Sequence, residues 1–252
     1  MAAEAFAGAV VPHAPVLLPE IGGRSGAESR DRILRACDKI DTSGADVVLV
    51  VSPHGRGAGV YARVSGSEAS FGGPEARLDS QTDTGAAESL ARAWKAPLLE
   101  GELDHGAVGC LHLLDVRRPS VIAALPETTG PGATTDACAA MVEGRKLAGA
   151  VKRAFSGSSV LVVASAHTSA ALTPRGPLTE RPEGRALDDR VLTSLATDVG
   201  ALDDISCDAW TAGGSCGAGP FAAFGRLLSG RTAEVLAYEH PFGVGYLVAT
   251  VT

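Results

Sequence analysis

Four of the six histidines fall in short segments punctuated by glycine and proline, where strands are expected to end. They are Val11-Pro12-His13-Ala14-Pro15, Ser52-Pro53-His54-Gly55, Asp104-His105-Gly106 and Ser165-Ala166-His167-Thr168. Turns at strand ends are where α/β proteins collect catalytic and metal-binding groups. His13 and His54 form the strongest pair. Each follows an apolar run, Phe6 to Val11 or Val47 to Val51, and each is preceded by a proline that fixes φ and stiffens the turn. Neutral imidazole is the commonest protein metal ligand. Two such turns on neighbouring strands would bring both rings to one end of a sheet. A divalent metal there needs a third donor, and water can fill its remaining positions.

Cys216 is the best third candidate. It lies in Gly213-Gly214-Ser215-Cys216-Gly217-Ala218-Gly219-Pro220, whose glycines let backbone approach a ligand closely. The helix expected to follow favours a thiolate at its N-terminus. A small buried cysteine in a loop is the competing reading. Among the other candidates, His105 is placed to orient or protonate a substrate, and His167 to act as acid or base. Glu239 and His240 are weaker; Glu239 reads first as a turn or edge carboxylate, with a ligand role behind Cys216. His112, in the apolar run Cys110 to Leu114, reads as a packed core residue. Asp188-Asp189 and Asp203-Asp204 read as a helix start and a solvated turn. The glycine-rich loop lacks the lysine of a nucleotide-binding P-loop.

The elements that must position these groups alternate. Phe6 to Val11, Asp46 to Ser52, Ser120 to Leu125 and Val160 to Ala164 are short apolar runs of the kind found in buried strands. Val60 to Val64 reads as an edge strand or hairpin arm. Helical spacing recurs around Asp31 to Ile40, over Thr84 to Trp94, Ala137 to Phe155 and Leu187 to Ala196. Pro220 to Leu228 adds a helix with proline in its first turn. Pro126 to Pro131 reads as a turn, and Arg175 to Gly184, rich in proline and glycine, as a loop or lid. Glu234 to Tyr238 and Gly245 to Val251 look like a closing hairpin. Strands alternating with helices predict a single α/β domain over residues 1–252, with a central mixed sheet flanked by helices on both faces.

Composition narrows the classes of function. Apolar residues make up 45% and charged residues 20%, as in a soluble globular protein. The net charge of −7, the absence of a basic stripe and an aromatic content of 4% argue against a nucleic-acid groove. No run of about 18 apolar residues suggests a membrane span, and no secretory signal is visible. Five cysteines, widely spaced and without a C-x-x-C pair, suggest reduced thiols in a cytoplasmic protein. The expected partner is a small-molecule substrate, with neither nucleic acid nor membrane, and a homodimer is allowed.

Taken in order, several segments resemble the class III extradiol ring-cleavage dioxygenase superfamily (LigB-like), near its MEMO-like branch. They are Pro12-His13-Ala14-Pro15 through Pro19-Glu20-Ile21-Gly22, Ser52-Pro53-His54-Gly55, Leu103-Asp104-His105-Gly106 and Leu172-Thr173-Pro174. Ala212-Gly213 through Cys216-Gly217 and Tyr238-Glu239-His240-Pro241-Phe242-Gly243-Val244-Gly245-Tyr246 complete the match, which runs over nearly the whole chain. The resemblance implies a non-haem Fe(II), with Zn(II) or another divalent metal as the alternative, held by His13, His54 and a third ligand. That ligand is a glutamate in ring-cleaving members and a cysteine in the corresponding region of MEMO-like members, which points to Cys216. His105 falls where ring-cleaving relatives place a substrate-contacting histidine.

Two positions depart from the pattern. Relatives usually carry Ser-Gly-Asp-Leu-Ser-His before Leu-Thr-Pro, the final histidine being the acid/base. Here Ala170 stands at that position and His167 where the aspartate would be. Related bacterial sequences tend to have glutamate immediately before Cys-Gly, where this chain has Ser215. The leading expectation is an O2-using enzyme acting on a catechol-like or other small aromatic substrate. A MEMO-like metal-binding protein without ring cleavage and a metal-assisted hydrolase are the alternatives.

Overall fold

The computed structural model describes residues 6–116, 119–130, 133–174 and 176–252. Pro131 and Arg175, assigned above to a turn and a loop, lie outside them. In chain order, β1 (Phe6–Val11) leads through α1 (Pro19–Gly22) and α2 (Ala27–Cys37) to β2 (Val47–Gly55). Next come β3 (Gly59–Tyr61), β4 (Val64–Glu68), β5 (Gly73–Ser80), α3 (Thr84–Trp94), β6 (Leu98–Leu99) and α4 (His105–Leu114). The second half runs through β7 (Ser120–Pro126), α5 (Ala137–Ala154), β8 (Val160–Ser165), α6 (Pro182–Thr197), α7 (Cys207–Gly213) and α8 (Ala218–Leu228). It closes on β9 (Glu234–Glu239) and β10 (Tyr246–Val251).

The four apolar runs become the centre of an eight-stranded mixed sheet of order β6-β3-β7-β2-β8-β1-β10-β9. β7, β2, β8 and β1 run parallel. β10 joins β1 antiparallel, and β9 joins β10 as the expected hairpin. Strands buried on both faces must be apolar at every position rather than alternately. Val47 to Val51 shows the result: Val47, Leu49 and Val51 pack with α3, α5, α6 and α8, whereas Val48 and Val50 pack with α2 and α4. The expected α/β architecture, a mixed sheet with helices on both faces, is the one observed. Among the described residues no helix is long and apolar enough to cross a membrane.

The parallel order matters because it sends the carboxyl ends of β1, β2, β7 and β8 to one edge of the sheet. β8 lies between β1 and β2. The segments that follow β1 and β8, and the end of β2 itself, therefore converge there.

Several local expectations are corrected. His54 lies inside β2, not beyond it, and His105 opens α4 instead of following a strand. α6 begins at Pro182, so residues 182–184 are helical: proline is tolerated in a first turn, where its missing N–H costs nothing. Val60 to Val64 divides between β3, an inner strand, and β4, which pairs with β5 in a separate two-stranded sheet. Asp188 is mid-helix and buried, taking a hydrogen bond from the Tyr238 hydroxyl. Asp203 is no solvated turn but a buried carboxylate between Arg145 and Arg226. His112, expected to pack in the core, is half-buried on α4. The thiols are not all reduced: Cys138 and Cys207, 69 residues apart, form a disulfide, because the first turns of α5 and α7 meet with their Cα atoms 5.0 Å apart. Spacing along the chain did not reveal that proximity. Cys37, Cys110 and Cys216 are free and buried.

Candidate metal centre

His13 sits two residues past β1, and His54 near the end of β2. Their ring centroids are 4.9 Å apart and their planes nearly perpendicular. The two Nε2 atoms approach to 3.0 Å. Cys216, in the turn between α7 and α8, brings its Sγ to 3.8 Å from His13 Nε2. The ligating atoms of His13, His54 and Cys216 all lie within 4.8 Å of one another.

The far side of each imidazole decides what the near side offers. Ser165 Oγ donates to the Gly106 carbonyl oxygen at 2.7 Å. Its proton is thus committed, and at 2.9 Å from His13 Nδ1 it can only accept. The His13 proton is therefore on Nδ1. His54 Nδ1 lies 3.1 Å from Glu127 Oε1, so its proton too faces outward, toward a carboxylate. Partners of this kind fix the tautomer and orientation of metal-ligating histidines. With both rings neutral, two Nε2 lone pairs and a sulfur look into one small space. Donors about 2.0–2.3 Å from a single ion stand roughly 3–4 Å from each other, so the residues fit a divalent metal.

α4 closes the site from one side. Asp104 caps it, accepting from Ala107 N at 3.0 Å, and also accepts from Ser52 Oγ and, at 3.1 Å, from the Tyr61 hydroxyl. That ties the start of the helix to β2 and holds the His105 ring 3.9 Å from the His54 ring. So close an approach requires glycine at two positions. A Cβ at Gly106 would lie 2.6 Å from Ser52 Oγ, and one at Gly109 2.5 Å from the His13 carbonyl oxygen.

His167, two residues past β8, stacks on His13 at 3.9 Å. Its Nε2 accepts from the His13 backbone N–H at 3.4 Å. The structure thus brings His13, His54, His105, His167 and Cys216 together. Glu239 is turned away: Arg32 donates to its Oε2 at 3.0 Å, and that hydrogen bonding holds its carboxyl below the usual range. His240 lies against Tyr238.

Electrostatics in the metal-free cluster follow from crowding. Burial, then the charges of His167, His54 and His105, hold His13 well below the usual imidazole value. Burial, then His54 and His167, push His105 down to about 3. For His54, burial acts downward, but hydrogen bonds with Cys216 and Glu127 outweigh it and raise it to about 10. For Cys216, burial acts upward, and His167 and then His54 overcome it, lowering the thiol to about 5. At neutral pH Cys216 is a thiolate and His54 carries an extra proton.

Two hollows adjoin the cluster. A largely apolar cleft of about 260 Å³ reaches the three ligands, with Ala14, Ala170, Val244 and Tyr246 among its walls. A more polar one of about 500 Å³ lies beyond His54 and His105 and includes Arg56, Glu100 and Glu102. Glu127 and Ser165 were not singled out from the sequence. Their only signal was a polar residue at or just past the end of an apolar strand, which many strands share.

Fold and site together define a mixed-sheet α/β protein with a buried His-His-Cys group that can hold a metal ion. In fold it is similar to an uncharacterized protein, JW3007, from Escherichia coli K12, whose crystal structure matches with a TM-score of 0.59 at 16% identity. The match covers 98% of this chain and 99% of that one, and at this identity it speaks for the fold alone. No family model matches the sequence, and no curated protein does.

Proposed function

We propose that this protein is a non-haem metal-dependent enzyme of the class III extradiol dioxygenase kind, acting with O2 on a catechol-like or other small aromatic substrate. The observation that carries the reading is the pair of outward-fixed tautomers at His13 and His54, whose Nε2 atoms meet beside the Cys216 thiolate at the base of a cleft. These three residues would hold Fe(II), the metal expected from the resemblance; Zn(II) also suits the donors. Such an ion supplies Lewis acidity and leaves positions open for small ligands.

The remaining work belongs to the side chains around it. His105 stays uncharged at neutral pH and offers its ring to a hydroxyl entering the cleft. The apolar wall at Ala14, Val244 and Tyr246 suits a flat ring and excludes water. His167 hydrogen-bonds with Cys216, so it sets the charge of that sulfur as well as offering a proton to substrate. The reading is tested by loading the protein with Fe(II) without air and then following O2 uptake on a panel of catechols. Uptake with ring-opened product supports it; metal binding without turnover on any catechol overturns it.

One observation favours a second reading, a metal-binding protein of the MEMO-like kind without ring cleavage. Ala170 lines the cleft at the position where the resemblance would place the acid/base histidine, and His167 is already engaged by His13 and Cys216.

A further inference from the structure

The disulfide stands outside the metal cluster, and the proposed function makes no use of it. Cys138 is exposed and is the second residue of α5, behind the N-cap Asp136; Cys207 is half-buried and begins α7. α5 has 18 residues, so its first turn carries the positive end of a full helix dipole. That end favours a thiolate at Cys138 whenever the bond opens. A disulfide that an external thiol can reach is of the labile rather than the structural kind.

What the bond holds gives it a consequence. The turn bearing Cys216 joins α7 to α8, and both helices are anchored on α5. α8 is anchored by close packing, since a Cβ at Gly144 would lie 2.2 Å from the Gly219 carbonyl oxygen. α7 is anchored by the disulfide. The end of α7 in turn positions the site. Ser215 N donates to the Trp210 carbonyl at 3.1 Å, Ser215 Oγ to the His167 carbonyl at 2.7 Å, and Ala170 N to the Gly213 carbonyl at 3.1 Å. Opening the disulfide would remove the one covalent tie on the α7 side of the Cys216 turn, leaving that side held by non-covalent contacts such as Trp210 stacked on Phe221 and Ser215 bonded to the His167 carbonyl.

We propose that Cys138–Cys207 is an exchangeable disulfide through which a low-molecular-weight thiol or dithiol controls metal retention at His13, His54 and Cys216; the control, though not the exchange, rests on the metal reading. An incoming thiolate attacks the sulfur of Cys138, the exposed residue of the two, the S–S bond breaks, and Cys207 leaves as a thiolate that takes a proton from water. A second thiol then attacks the mixed disulfide, freeing Cys138. The chain gains two electrons and two protons, and two thiols become one small disulfide.

The test uses the full-length oxidised chain, treated with dithiothreitol without denaturant. Newly exposed thiols are alkylated and located by mass spectrometry. Reductant is then removed without air, and Zn(II) affinity is measured by competition with a chromophoric chelator. The expected result is reductant-dependent labelling of Cys138 and Cys207 while Cys37 and Cys110 stay protected. Zn(II) affinity should fall about ten- to a hundredfold, the range seen when groups supporting metal ligands are lost. Cys138→Ser and Cys207→Ser should show the weakened affinity without reductant. A bond that yields only in denaturant overturns the exchange, and a reduced chain that holds Zn(II) as tightly as the oxidised one overturns the control. If the oxidised chain binds no Zn(II) or Co(II), the metal reading fails and the control with it, while the alkylation result still decides the exchange.

Discussion

His13 Nε2 and His54 Nε2 stand 3.0 Å apart with their other nitrogens committed to Ser165 and Glu127. Two neutral imidazoles in that arrangement present lone pair to lone pair, so something positive must lie between them. In the metal-free protein it is the proton that keeps His54 charged up to about pH 10. A metal ion would satisfy the same two nitrogens and the Cys216 sulfur together. Proton and metal are thus alternatives for one site.

That competition predicts a measurable proton release. At pH 7 to 8 His54 is protonated, Cys216 is a thiolate and His13 is neutral. Ligation needs neutral imidazoles and a thiolate, so binding should expel about one proton, from His54. Calorimetric titration with Zn(II) in buffers of differing ionisation enthalpy reads this number; zero would mean that the site is already neutral. The linkage has a definite sign in the metal-free protein. The raised His54 value adds stability in full below about pH 6.5, lost as pH rises through about 10. The lowered Cys216 value adds stability above about pH 9, lost as pH falls through about 5.

The ligands and their supports should separate by magnitude. His13→Ala or His54→Ala should abolish tight metal binding, because each removes one of three protein donors. Cys216→Ser should weaken it and shift preference away from soft ions. Glu127→Gln and Ser165→Ala keep all three donors but release a tautomer, and each should cost about ten- to a hundredfold in affinity. Chelator competition for Zn(II) and Co(II) ranks the five variants. Unchanged affinity in both Glu127→Gln and Ser165→Ala would show that the outward hydrogen bonds do not organise the site.

The turns that carry the candidate ligands were legible in the sequence because strand ends can be read locally. Val47 to Val51 has to be a buried strand, and Pro53-His54-Gly55 has to be near its end. The supporting residues were not legible for a topological reason. Glu127 meets His54 because β7 is the neighbour of β2, and Ser165 meets His13 because β8 lies between β1 and β2. Neighbour order is set by how the helices pack over the sheet, which no local pattern states. Likewise, Cys138 and Cys207 pair because two helix starts meet in space. The proline-rich stretch before Leu187 concealed a helix start, since proline marks a loop and a first turn equally well.

Helix packing behind the cluster should be felt at the cluster. A Cβ at Gly144 would sit 2.2 Å from the backbone oxygen of Gly219, which has no rotamer to move to, so α5 and α8 must separate. Alanine gains about 1 kcal/mol over glycine in a helix interior, but overpacking costs typically about 1–3 kcal/mol. The clash should win, and Gly144→Ala should lower the urea midpoint. Because α8 begins two residues after Cys216, metal affinity should fall with it. A variant as stable as the parent would show that the helices part freely.

The cleft at Ala170 decides between ring cleavage and simple metal binding. A base within reach of a substrate hydroxyl contributes typically about 10²–10⁴ in rate. Ala170 cannot act as one, although it lines the same cleft as the three ligands and His105. His167 is close, but its Nε2 takes the His13 N–H and it hydrogen-bonds with Cys216. Turnover of simple catechols by the Fe(II)-loaded parent should therefore be slow. Ala170→His returns an imidazole to that wall and should raise catechol-dependent O2 uptake by at least about tenfold, within the range for a restored base, with metal content unchanged. His105→Ala should lower the residual rate without releasing metal, since His105 packs on His54 but is not one of the three grouped ligands. His167→Ala should weaken both rate and metal binding, because it removes the partner that keeps Cys216 ionised. Metal analysis beside oxygen-electrode rates for the three variants separates these outcomes. Robust cleavage indifferent to all three substitutions would place the base elsewhere, and no cleavage even in Ala170→His would favour a protein that holds its metal for another purpose.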